Sequence, residues 1–244
     1  MDDRECQGTA RSPFNDARSR RQHHHSTFAL ERAQEILFHL GEGVRAGLLP
    51  RNLRVFLDSP MAISATEMFR RHPECLSETA RTHLADGADL SGLPSLRFTR
   101  DVSDSIAINR IEGGAVILAG SGMCTGGRVR NHLKHNLWRK ECGIVFVGYA
   151  AEGTPARRII DGAECVRLSG EELRVRAKIW TINGFCALAG RSDLLRWLAR
   201  TGKPRKVLLV HGELERGMSA MVKSLGDLGQ ACHAPAPGER VVLD

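Results

Sequence analysis

The residues best suited to chemistry in this chain lie in two glycine-bearing loops and at one isolated histidine. The stretch AVILAGSGMCTGGRVRNHLKH, Ala115 to His135, joins an apolar run to a loop of small residues and then to a basic helix. Ser121, Gly122, Met123, Gly126 and Gly127 would let the backbone approach an anion closely, with the free N–H groups of the helix's first turn facing it. Arg128, Arg130, Lys134, Arg139 and Lys140 add positive charge, although residues three and four apart share a face and not all five can meet one ligand. A second loop, GYAAEGTPARR, puts Gly153, Thr154 and Arg157 in the same relation to the apolar run GIVFVG. Two such loops on neighbouring strands would make one electropositive edge for a phosphate-bearing ligand. Neither GxxxxGK[ST] nor GxGxxG occurs in the first loop, which disfavours a nucleotide cofactor. The same glycines would equally serve a tight turn, with the basic helix as a solvated face.

The histidine is His211, at the end of KVLLVHGE. At the carboxyl end of a strand it could ligate a metal, act as a general acid or base, or sit in a turn. A zinc site needs three or four converging ligands, and the remaining histidines offer no such spacing. His132 and His135, three apart on the basic helix, read as surface residues, and the run His23 to His25 reads as a polar tract without a preorganised site.

The elements that would position these residues can be read from apolar periodicity. A helix is expected from Phe28 to Leu40, then the strand RVFLDSP, a helix at about Met61 to Arg71, and the strands AVILA and GIVFVG. The short helix TPARRII and the strand-rich run ECVRLSGEELRVRAKIWTI follow. An amphipathic helix from Ser192 to Arg200 with Leu194, Leu195 and Leu198 inward, the strand KVLLV and a helix from Glu213 to Leu228 complete the chain. Strands alternating with helices predict an α/β fold with a mainly parallel sheet flanked by helices. The first 25 residues lack apolar periodicity and are expected to form a disordered leader.

Composition narrows the classes. The 244 residues are 42% hydrophobic, enough for one large or two small cores, and the net charge of +7 favours a polyanionic partner such as nucleic acid. No apolar run approaches a membrane span and the amino terminus is polar where a signal peptide would be apolar, so a cytoplasmic protein is expected. Seven scattered cysteines without a CxxC pair fit reduced thiols.

The blocks STFALERAQEIL, VFLDSPMA, ILAGSGMCTGGRVRNHLKH, VGYAAEGTPARRIIDGA, VRAKIWTINGF and LLVHGE occur in the order and rough spacing of one known family. Over Ser26 to Asp244 the chain resembles the β-CASP branch of the metallo-β-lactamase superfamily, which contains RNA-processing nucleases. The resemblance implies a β-CASP domain over 26–171 and the carboxyl-terminal part of the αββα hydrolase fold over 172–244. It also implies RNA as the partner and zinc as the family's cofactor, with cleavage between the two domains. Two departures stand against activity. The family's HxHxDH loop is not found in these residues, and FCALAG replaces a block resembling FSAHAD, so Leu188 stands where the family's catalytic histidine would be. His211 is then the one remaining, vestigial ligand, and no zinc is expected to bind this chain.

Three readings follow from the resemblance. The chain is a fragment of an RNA nuclease that keeps its RNA grip without cutting, or a non-catalytic module that binds RNA or pairs with a complete homologue or a second copy of itself. In the third, a separate chain supplies the missing half. Packing is expected to weaken after about Glu171, where the partial hydrolase fold would leave apolar surface uncovered.

Overall fold

Short apolar runs between turn-forming residues become the strands of one parallel sheet. The computed structural model describes residues 22–26, 30–85, 92–111, 113–185 and 189–242. It divides into two units, Met1–Cys186 and Ala187–Asp244. In the first unit the strands are β1 (Gln22–Ser26), β2 (Arg54–Leu57), β3 (Leu96–Phe98), β4 (Ala115–Ala119), β5 (Gly143–Val147), β6 (Cys165–Leu168), β7 (Glu171–Arg174) and β8 (Lys178–Ile182). Six of them form a sheet in the order β3-β2-β4-β1-β5-β8, with every pairing parallel. β6 and β7 make a separate antiparallel pair.

Every residue of β4 and β5 is buried, as expected for inner strands covered on both faces. The helices are α1 (Arg32–Arg45), α2 (Pro60–Arg71), α3 (Glu78–Ala85), α4 (Val102–Ile108), α5 (Val129–Asn136) and α6 (Pro155–Ile160). Side chains alternate along the strands and divide the core. Val116, Leu118, Val145 and Val147 cluster with Ile36, Leu37 and Leu40 of α1, whereas Ile144 and Phe146 cluster with Leu133 of α5 and Ile159 of α6. Ala115 and Ile117 meet Ile108 of α4 in a smaller cluster with Phe56. Ser59 caps α2 by accepting from the Ala62 N–H at 3.3 Å, and Pro60 opens the helix where its missing N–H costs nothing.

Several expectations change here. Residues 22–25 are not leader: Gln22–Ser26 is an inner strand, paired with β4 on one side and β5 on the other. The facing backbone groups of two buried strands require a partner, and this demand overrides the polar composition of QHHHS. The remainder of the expected leader lies outside the described residues. Because β1 separates β4 from β5, the two glycine loops do not follow neighbouring strands. β3 and α4 were not among the expected elements; LRF is too short, and VSDSIAI too polar, for a clear period.

The second unit contains α7 (Arg191–Arg200), β9 (Val207–Leu208), a π-helical turn at Leu214–Met218, α8 (Ser219–Asp227) and β10 (Cys232–His233). β9 and β10 pair in parallel. Among its described residues only Leu225 is a buried hydrophobic. The leucines of α7 expected inward are not buried: Leu194 is exposed, and Leu195 and Leu198 are half-buried. Packing does thin toward the carboxyl terminus, but β7 and β8 belong to the first unit, so the thinning starts beyond Glu171. Among the described residues no helix is long and apolar enough to cross a membrane.

Candidate nucleic-acid interface

In a sheet whose pairings are all parallel the carboxyl ends share one edge, the usual ligand edge of open α/β sheets. Asp58 follows β2, Thr99 follows β3, the Gly120–Arg128 segment follows β4, the Gly148–Thr154 segment follows β5, and Asn183 follows β8.

Asp58 organises the first half of this edge. Its N–H donates to the Leu118 carbonyl at 2.8 Å, which fixes it beside the exit of β4. Its buried carboxylate accepts from Ser105 Oγ and His132 Nε2, each at 2.6 Å, on Oδ2. Oδ1 accepts from Arg128 Nη1 at 2.7 Å. Burial pushes the Asp58 carboxyl up, but the hydrogen bonds from His132, Ser105 and Arg128 outweigh it and hold the group below the usual aspartate value. His132 Nδ1 lies 3.3 Å from Asn109 Oδ1. One carboxylate thus ties the exit of β2 to α4, to α5 and to the residue that precedes α5.

That residue is Arg128, expected above to bind phosphate. Its guanidinium is turned inward and also donates to the carbonyls of Thr99 at 2.8 Å and Arg100 at 2.6 Å. His132 likewise departs from the surface reading: it is fully buried, while His135 is exposed. The spacing held a signal, because Val129, His132, Leu133 and Asn136 fall at i, i+3, i+4 and i+7 and form the buried face of α5. Asp58, Ser105 and Asn109 carried no comparable mark.

The glycine loop is shaped by close backbone approach. A Cβ on Gly127 would lie 2.3 Å from the Gly120 carbonyl oxygen, and its φ of +72° is left-handed, so only glycine fits. Ser121 N–H donates to the Gly126 carbonyl at 3.3 Å and Val129 N–H to the Gly120 carbonyl at 3.0 Å. The N–H groups of Thr125, Gly126 and Gly127 donate to no acceptor among the described residues. Successive free N–H groups of this kind form an anion-binding concavity. Gly122 is buried, whereas Ser121, Met123 and Gly126 are half-buried and Gly127 is exposed.

The second loop is joined to the first although their strands are not adjacent. Ala151 N–H donates to Met123 Sδ at 3.2 Å, and Ala156 N–H donates to the Met123 carbonyl at 3.3 Å. Thr154 caps α6, donating from Oγ1 to the Ala151 carbonyl at 2.6 Å and accepting from the Arg157 N–H at 3.3 Å. Gly153 is exposed, and Arg157 pairs with Asp161 through Nε at 2.9 Å.

His211, in the second unit, is exposed with a φ of 61°. Among the described residues no three His, Cys, Asp or Glu side chains converge as a metal site would require, so the described donors do not fit a zinc centre. Leu188 lies outside the described residues. Cys75, Cys142, Cys165 and Cys232 are free thiols, and burial pushes the Cys142 thiol up to about 11.

Comparison with known proteins divides the chain earlier than the two units do, between residues 159 and 172 rather than after Cys186. Residues 33–159 match the Beta-Casp domain, and residues 172–235 match the Zn-dependent metallo-hydrolase RNA specificity domain. A ribonuclease of Thermus thermophilus is 42% identical over 216 residues, covering 88% of this chain and 48% of the relative. The transcription termination factor FttA of Methanocaldococcus jannaschii is 34% identical over 199 residues, covering 76% of this chain and 30% of the relative. FttA of Pyrococcus horikoshii is 29% identical over 220 residues, covering 85% and 32%. The chain therefore spans about half the length of the Thermus relative and about a third of the archaeal ones.

Proposed function

This chain belongs to the β-CASP branch of the metallo-β-lactamase family, and from that premise we propose that it is the RNA-gripping part of a cytoplasmic RNA-processing nuclease. The carrying observation is the row of free N–H groups at Thr125, Gly126 and Gly127, on the same edge as the Gly148–Thr154 loop and joined to it through Met123. A strand's phosphates would lie along this edge, held by backbone N–H groups, while Arg128 and Asp58 keep the loop in shape. Zinc is the family's hydrolytic metal and would supply an activated water. The described residues of this chain bring no such ligand set together, and the chain by itself binds RNA without cutting it.

Fluorescence anisotropy with a labelled single-stranded RNA tests the reading. Binding is expected at low salt, weakening linearly on a log–log plot as salt rises, because each phosphate contact releases condensed counterions. Gly126→Asp places a carboxylate in open space beside the free N–H groups and is expected to abolish binding with the fold intact. Absence of binding by the unaltered chain at low salt would overturn the proposal, and zinc-dependent cleavage lost in His211→Ala would overturn the non-cutting part of it.

A second reading, pairing with a complete family member, is favoured by the apolar side chains that the second unit leaves exposed, Leu194, Trp197, Val210 and Leu214. Co-purification with such a homologue that fails in Trp197→Ser would support it; a chain that remains monomeric in its presence would remove it.

A further inference from the structure

Beyond the glycine loop, the segment after β5 and the end of β8 border a half-open cavity of about 420 Å³ whose lining includes Tyr149, Arg157, Ile160, Thr181 and Asn183. The volume lies within the range of small-molecule sites. Tyr149 is the chain's one tyrosine; it lines the cavity and is 47% exposed. Ile160 is half-buried against the core beneath α6 and gives the cavity an apolar wall. Asn183 is exposed, and its side-chain amide has no hydrogen-bond partner among the described residues. Arg157 is paired with Asp161 through both Nε and Nη2 and contributes its aliphatic stem to the lining.

These groups are the parts of a site for a single unstacked base. An aromatic face binds any base by stacking, an apolar wall excludes water, and an amide offers both a donor and an acceptor to a base edge. We propose that the cavity receives one nucleobase of the RNA strand, stacked on Tyr149 with its edge toward Asn183. The inference rests on the RNA reading above and adds to it a place where base identity is sensed.

Anisotropy with labelled oligoadenylate, oligouridylate and an abasic ribose-phosphate strand of equal length tests it on the full chain. Tyr149→Ala is expected to weaken binding of the better base-bearing strand roughly five- to a hundredfold, the range for loss of one stacked base, and to leave the abasic strand unaffected. Tyr149→Phe, which keeps the ring, is expected to bind like the unaltered chain, and circular dichroism of both variants to match it. If Tyr149→Ala binds base-bearing strands as well as the unaltered chain, or loses the abasic strand equally, the base site is wrong and the phosphate-gripping edge stands. If the unaltered chain binds none of the three strands at low salt, both proposals fall.

Discussion

His132 Nε2 lies 2.6 Å from Asp58 Oδ2, with both side chains buried and the two residues 74 positions apart in sequence. The contact joins the exit of β2 to the helix that carries the glycine loop. Asp58→Ala strands a buried histidine and arginine together and is expected to cost about 3–5 kcal/mol. His132→Ala costs less, because Ser105 and Arg128 still satisfy the carboxylate. The double variant should fall short of the sum of the two, and urea unfolding of the four proteins measures this. Additive losses would show that the pair is not coupled.

The same carboxylate predicts a pH dependence. Asp58 is held below its ordinary value, since hydrogen bonds outweigh the opposing effect of burial. A group with a depressed folded pKa adds stability that is fully present above its unfolded value, about 3.9, and is lost as pH falls through the folded value. The stability gap between the unaltered chain and Asp58→Asn should therefore be widest near neutral pH and narrow below about pH 4. Denaturant titrations across that range are the measurement, and a gap that stays constant would remove Asp58 as a source of acid sensitivity.

Arg128 separates a bracing role from a binding one. Its guanidinium donates to Asp58, Thr99 and Arg100, so Arg128→Ala is expected to lower the melting temperature and leave the salt dependence of RNA binding unchanged. Were it a phosphate contact, the slope of log affinity against log salt would fall by about 0.7. Anisotropy over a salt series, read beside thermal melts, distinguishes the two.

How much was legible in the sequence depended on whether a residue's neighbours betray its environment. AVILA and GIVFV are unbroken apolar runs bounded by glycine, and both became inner strands. QHHHS has the composition of a solvated tract, and its place is set by the backbone needs of the strands on either side. The loop glycines were legible because glycine has few other reasons to cluster between a strand and a helix. Arg128 carried the same charge whichever way it turned, and only the buried Asp58, brought in from another strand, decides the direction. His132 lay on a face legible as apolar, yet its chemistry pointed to the surface.

Two adjacent glycines give opposite expectations. Gly127→Ala forces a methyl against the Gly120 carbonyl at a positive φ and is expected to cost at least about 1–3 kcal/mol and to weaken RNA binding. Gly126→Ala meets open space and is expected to change stability by less than about 0.5 kcal/mol. Equal effects in thermal melts would show that the loop does not depend on this backbone approach.

Where the first unit ends can be tested by shortening the chain. β8 pairs along β5, and every residue of β5 is buried. A chain ending at Cys186 keeps that pairing and is expected to unfold cooperatively, because the second unit contributes a single buried hydrophobic, Leu225, among its described residues. A chain ending at Arg174 loses β8 and turns β5 into a bare apolar edge, the arrangement that invites strand-to-strand association. It is expected to aggregate or to melt without a sharp transition. Light scattering and calorimetry of the two shortened chains decide the matter: identical behaviour would place the boundary before β8, near Glu171, and a failure of the longer one would mean that residues beyond Cys186 are needed to hold the first unit together.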